Sequence, residues 1–292
     1  FTGHAGTPIL LGTGELVPSV PAPTITGFSP SSACFGSGVL VVITGTNFTG
    51  ATNVSFNGTS STYIVDNDSQ ISATLPALAT TGTISVTTPG GIATSSSSFI
   101  VNSLPAPFNV TGGGSYCSGG AGVSVGLDGS ETGVNYQLFI GGSTAVGSPV
   151  SGTGRSLIFG NQTAAGTYTV VATRTIGGCT ATMSGTAIVS LDAAPAGGTA
   201  TATASEVCTG SGTTITLTGS IGTIQWQQSA DGSTGWVNVA GGSGETTTTY
   251  TTANLSSTTH FRAVVTSGVC TPAISSTAVV TVAQGPILIT DA

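Results

Sequence analysis

Proline marks three joints in this chain, and the joints limit what can lie between them. Pro21-Ala22-Pro23, Pro105-Ala106-Pro107 and Ala194-Pro195-Ala196 break any continuous helix or central strand. Pro21 and Pro105 are 84 residues apart, and Pro105 and Pro195 are 90 apart, so each interval suits one small domain. Inside each interval, short runs of Val, Ile, Thr and aromatics alternate with clusters of Gly, Asn, Asp and Ser, and no helical period appears. The pattern predicts an all-β chain of three tandem β-sandwiches at residues 22–102, 103–191 and 192–284, with extended terminal strands in the tails 1–21 and 285–292. Semi-rigid Pro-Ala junctions favour an in-line rod.

Charge narrows the functional classes. Only 4% of the residues are charged, against roughly 25% in an ordinary domain. Arg155, Arg174 and Arg262 are the only strong cations, and there is no lysine. A chain of net charge −7 cannot neutralise a run of phosphates, so no nucleic acid is expected as a partner. An anionic membrane surface would repel it, and no apolar run approaches the ~20 residues of a spanning helix. No membrane insertion is expected, and any signal peptide has been removed or lies outside these residues.

Five cysteines point to an oxidising compartment. Cys117 and Cys179 are 62 residues apart, and so are Cys208 and Cys270. Two equal loops in successive intervals predict one disulfide within each module, Cys117 with Cys179 and Cys208 with Cys270, each stabilising its own module by roughly 4 kcal/mol. Four buried thiols are the alternative. Zinc is disfavoured, because no Cys-x-x-Cys occurs and His4 and His260 fall outside any ligand spacing. Cys34 is left over, as a small buried hydrophobe or an intermolecular thiol.

Five blocks of the first interval, "ITGFSP" from Ile25, "VVITGTNF", "VSFNG", "ISATLP" and "GTISVTTPGG", stand in the order found in IPT/TIG domains. Residues 22 to 102 resemble that immunoglobulin-like family. Asn57-Gly58 reads as a hairpin turn and Gly45 as a glycine-permitted bend. In the third interval, "TIQWQQSADGSTGWVNV" and "TTHFRAVVTSGVC" resemble the immunoglobulin-like repeats of Bacteroidota surface and gliding-type adhesins exported by type IX secretion. Trp226 then belongs in the core beside the Cys208–Cys270 bridge, and Asp231-Gly232 is a turn. The second interval is a divergent relative in which Tyr136 or Phe139 takes the tryptophan position.

Chemistry-bearing residues are sparse. His260 falls in a strand, where a half-buried structural role is expected, and His4 falls in a tail. The acidic residues are dispersed except for Asp66-Asn67-Asp68-Ser69, which lacks the glycine and distal glutamate of a calcium loop and reads as a polar turn. No catalytic residues, cofactor or metal are expected, and the chain is not expected to be an enzyme. Acceptor patterns for N-glycosylation occur at Asn47, Asn53, Asn57, Asn67, Asn109, Asn161 and Asn254. Without lysine, Lys–Asn isopeptide crosslinks cannot form.

The expected function is a non-enzymatic extracellular structural protein of the cell surface, an adhesin segment or fibre subunit. Its expected partners are copies of itself or neighbouring domains of a longer surface protein. The apolar tails Pro8, Ile9, Leu10, Leu11 and Pro286, Ile287, Leu288, Ile289 suggest strands donated between subunits, giving head-to-tail assembly. The alternative is a glycan-binding or spacer module of a larger secreted protein or enzyme, with Trp236 or Tyr250 stacking on a sugar.

Overall fold

The computed structural model describes residues 19–283 together with the backbone of two short strands, Ile9–Leu10 and Leu16–Val17. The described residues contain strands and turns and no helix. Three sandwiches follow one another, and no sheet is shared between them.

In the first module, Thr24–Ser29, Leu40–Thr46, Gln70–Thr74 and Tyr63–Asn67 form one sheet in that order. Ser32–Cys34, Gly91–Asn102, Gly82–Thr88, Asn53–Phe56 and Thr59–Ser60 form the other. Leu40–Thr46 shows why the chain takes this form: successive side chains point to opposite faces, so Val41 and Ile43 enter the core while Leu40, Thr44 and Thr46 face water. Gly45 has no substitute, since a Cβ there would stand 1.8 Å from the Thr24 carbonyl oxygen and 2.4 Å from the Phe48 ring. The expected hairpin turn is present, with Asn57 and Gly58 at φ 45° and 83° between paired Phe56 and Thr59. The expected polar turn is present, with Asp66 and Asn67 ending one strand and Asp68 and Ser69 turning into Gln70–Thr74. The Asp68 carboxylate accepts hydrogen bonds from the Asn47 and Thr49 amides and the Thr49 hydroxyl, and Asp66 accepts from Gln70 and Ser72.

The second and third modules share one topology. In the second, Val110–Gly112, Val123–Leu127 and Leu157–Gln162 face a sheet ordered Gly114–Cys117, Ala187–Asp192, Gly166–Arg174, Val134–Ile140 and Thr144–Ser151, with Thr180–Thr182 also on Gly166–Arg174. In the third, Thr199–Ala202, Thr214–Thr218 and Thr249–Thr251 face Glu206–Cys208, Ala278–Ala283, Thr259–Thr266, Thr223–Ser229 and Val237–Asn238, with Ala273–Ile274 on Thr259–Thr266. Trp226 is fully buried opposite Ala263, and Tyr136 is fully buried opposite Ala172. Each of those alanines lies seven positions before its module's turn cysteine, so Tyr136, and not the half-buried Phe139, replaces the tryptophan. Each core closes within its own module.

The N-terminal tail departs from expectation. Ile9 pairs with Val17 and Leu10 with Leu16, antiparallel, so these residues find their partner strand a few positions along their own chain. Pro8, Leu11, Pro286, Ile287, Leu288, Ile289 and His4 lie outside the described residues.

The Trp226 indole N–H donates to the Thr247 carbonyl (2.9 Å), and the ring stacks on Tyr250, which packs on Phe261. Trp226→Ala is expected to destabilise the third module by about 3–5 kcal/mol. Calorimetry should show one unfolding transition shifted down and the others unmoved.

Candidate functional site

The same short element follows the first strand of each module and fixes a cysteine at its far end. Ser32–Cys34, Gly114–Cys117 and Glu206–Cys208 each lie parallel to the last strand of their own module, placing Cys34 opposite Asn102, Cys117 opposite Asp192 and Cys208 opposite Ala283. The next residue donates its amide to that last-strand carbonyl in all three: Phe35 to Asn102 (2.9 Å), Ser118 to Asp192 (2.8 Å) and Thr209 to Ala283 (3.3 Å). A left-handed glycine follows each time, Gly36, Gly119 or Gly210. Each of these cysteines therefore stands where the chain leaves its module.

Cys179 and Cys270 occupy the opposite end. Each closes the turn after the long strand that precedes it, Gly166–Arg174 or Thr259–Thr266. In the second module Gly166 pairs with Val189 near the exit, so Arg174, eight residues further on, lies about 26 Å away at the entrance. Cysteines so separated cannot bond, because a disulfide holds Cα atoms within about 7 Å. The structure overturns both expected pairings. Cys34 bonds Cys179 (Cα–Cα 5.6 Å) and Cys117 bonds Cys270 (Cα–Cα 5.0 Å), so each bridge ties the exit of one module to the entrance turn of the next. Cys34 is not left over. Cys208 is the free cysteine, it is exposed, and no bridge lies beside Trp226.

Polar contacts complete both joints. At the first, Arg174 donates from Nε to the Ser103 carbonyl (2.8 Å), and from Nη2 to the Leu104 carbonyl (3.2 Å) and Glu131 (2.7 Å). The other Glu131 carboxylate oxygen accepts the Ala106 amide (3.1 Å). The linker Ser103–Ala106 is thus pinned from the second module, with Pro105 buried. At the second joint the Val269 amide donates to the Asp192 carboxylate (2.9 Å). Close approach demands glycine in both turns: a Cβ on Gly177 would stand 2.5 Å from Asn102 Cγ, and one on Gly268 would stand 1.9 Å from Asp192 Oδ2.

The remaining candidates are absorbed by the fold. Tyr250 is buried and its hydroxyl donates to Gly241 (2.7 Å), so it is not open to a sugar. Trp236 is half-buried, and the Arg262 guanidinium covers its ring at 4.1 Å while donating to Gln227. His260 is half-buried against Gly232, with Nδ1 lacking a partner. The Asp231 carboxylate is held far below the usual range by the Thr234 hydroxyl and the amides of Thr234 and Ser233, and it caps the turn containing Gly232. Among the acceptor asparagines, Asn47, Asn57 and Asn109 commit their amide groups to Ala22, Thr80 and Asp128. Asn67 accepts from Ser69, Asn53 is half-buried in its strand, and Asn161 and Asn254 are exposed. No three His, Cys, Asp or Glu residues cluster to hold a metal among the described residues.

Residues 23–101 match the IPT/TIG domain. Residues 196–284 match a domain of unknown function (DUF8696). No curated protein matches the chain. Among solved structures, it is similar to titin domains A168–A170 (15% identity, 90% of this chain and 100% of that one, TM-score 0.40). It is also similar to the mouse nectin-like molecule 4 ectodomain (13%, 89% and 99%, TM-score 0.38) and to the eight N-terminal immunoglobulin domains of Down Syndrome Cell Adhesion Molecule (13%, 90% and 36%, TM-score 0.47). Identities and TM-scores this low carry no argument about this chain.

Two measurements check the joints. Peptide mapping of these 292 residues, expressed in an oxidising compartment and alkylated without reduction, should recover Cys34 with Cys179, Cys117 with Cys270, and label on Cys208 alone. The Glu131 carboxyl is lowered from its ordinary value of 4.5, first by the Ala106 amide and then by Arg174. A depressed folded-state value means the clamp is complete above pH 4.5 and is lost as pH falls through the lower folded value. Protection of the Ala106 amide, its exchange relative to an unstructured peptide at the same pH, should therefore fall in acid, and Glu131→Ala should lower that protection at pH 7 and remove the acid step.

Proposed function

We propose that the chain is a non-enzymatic load-bearing segment of an extracellular surface stalk or adhesin, in which immunoglobulin-like sandwiches serve as spacers and each joint is covalently locked. The observation that carries this reading is the pair of bridges crossing both module boundaries. A bridge inside a module would stabilise a core. A bridge between modules restrains the hinge and adds a second covalent route past the linker. An in-line arrangement, which the Pro-Ala junctions favour, suits such a stalk, and its partners are neighbouring modules of a longer surface protein. Disulfides fit an oxidising extracellular location, and no helix among the described residues is long and apolar enough to cross a membrane. The sugar-stacking alternative loses its support with Tyr250 buried and Trp236 covered by Arg262.

The bridges also set how far the stalk can stretch. With both intact, the shortest covalent route runs from Phe1 to Cys34, from Cys179 back to Cys117, and from Cys270 to Ala292. That route holds about 120 residues, or about 40 nm at full extension, against about 100 nm for the reduced 292-residue chain. Most of the first and third modules is then bypassed and carries no load. Pulling the oxidised protein by its ends in an optical trap should give the shorter contour length, and adding reductant should restore the longer one. Equal lengths in both conditions, with the bridges verified by mass, would sink the load-bearing reading.

A further inference from the structure

We infer that Cys208 is the outgoing half of a third interdomain bridge, and that its partner is an immunoglobulin-like module whose entrance turn carries Gly-x-Cys. Two sibling positions in this chain supply the evidence. Cys34 and Cys117 share with Cys208 the parallel pairing onto the last strand, the amide bond from the following residue, and the left-handed glycine after it, and both are bonded to the next module. Cys208 has the same placement at the exit of the third module, and its thiol is exposed.

The entrance turns define the partner. Gly177-Gly178-Cys179 and Gly268-Val269-Cys270 both set a glycine against the last strand of the module before, two residues ahead of the bonded cysteine. The matching turn of the first module is Gly90-Gly91-Ile92, in which Gly90 lies against the Pro21 carbonyl and Ile92 occupies the cysteine position. A second copy of this chain therefore cannot receive Cys208 at its first module, and its other two turns are already bonded. The occupant is a different module, lying further along the same polypeptide or on a separate one.

The bond forms by thiol–disulfide exchange. The Cys208 thiolate attacks a disulfide-bearing oxidant, a dithiol–disulfide oxidoreductase or a low-molecular-weight disulfide, and one sulfur of that oxidant leaves as a thiolate. The partner cysteine's thiolate then attacks the Cys208 sulfur and displaces the second. Two electrons pass to the oxidant, which takes up the two protons as it becomes a dithiol or two thiols.

The test is peptide mapping of the native protein, alkylated at lysis and digested without reduction. The expected result is a Cys208 peptide linked to a Gly-x-Cys turn peptide. An unchanged chain mass on reduction identifies the same polypeptide as the source, and a fall in mass identifies a separate one. Alkylated Cys208, a Cys208–Cys208 dimer or a small-thiol adduct would overturn the inference. As a second measurement, the full chain can be lengthened after Ala283 by a copy of residues 193–283. Cys208 should then bond the added turn cysteine, while a folded lengthened chain with Cys208 still open to alkylation would refute the geometry.

Discussion

Everything at the joints depends on the parallel pairing of a three- or four-residue strand with the last strand of its module. Antiparallel pairing would send the cysteine toward the entrance. Parallel pairing carries it to the exit, level with Asn102, Asp192 or Ala283. Because the preceding long strand runs antiparallel to the last one, its closing turn falls at the entrance. The two cysteine positions thus point in opposite directions along the chain, and bonding each to its neighbour is a geometric consequence of the topology.

Covalent closure alone would leave the joint free to swivel about the bridge, and the two joints limit that freedom by different polar means. The first uses an Arg174–Glu131 pair to hold four linker residues, with side chains 20% and 31% exposed. Such a pair in partial contact with water contributes little as an isolated ion pair. Its effect comes from three directed hydrogen bonds that satisfy linker groups otherwise left to water. In a chain with three arginines, placing one here and another over Trp236 leaves Arg155 as the cation without a structural contact of this kind among the described residues.

The sandwich fold was legible because it is written in local physics. Period-two alternation in Leu40–Thr46, the Asn57-Gly58 turn, and the Ile224 and Trp226 pair on one buried face can each be read within a few residues. The bridges were not, because a spacing of 62 residues repeats whenever two modules share two positions, whether or not those positions touch. The usable signal lay elsewhere, in the triplets Cys34-Phe35-Gly36, Cys117-Ser118-Gly119 and Cys208-Thr209-Gly210. These are three exits against two entrance turns, and a shift of one module accounts for Cys34 where pairing within modules strands it. The partner of Ile9 was likewise a matter of reach. An apolar run without a neighbour looked like a donor strand, but a partner at Leu16–Val17 closes with far less loop entropy than one on another molecule.

The three exits also show which part of the joint is fixed and which varies. The cysteine, its glycine turn and its amide bond to the last strand recur unchanged, while the residue opposite the cysteine is Asn102, then Asp192, then Ala283. Asn102 and Asp192 each fill the space left by a turn glycine, and Asp192 also accepts an amide from the incoming turn. Ala283 has no polar side chain, and its carbonyl is already taken by the amide and hydroxyl of Thr209. A module arriving there would meet the same covalent anchor without a carboxylate or amide to orient its turn. Orientation at the third exit then falls to the linker and to the incoming module's own side chains, as it falls to Arg174 and Glu131 at the first.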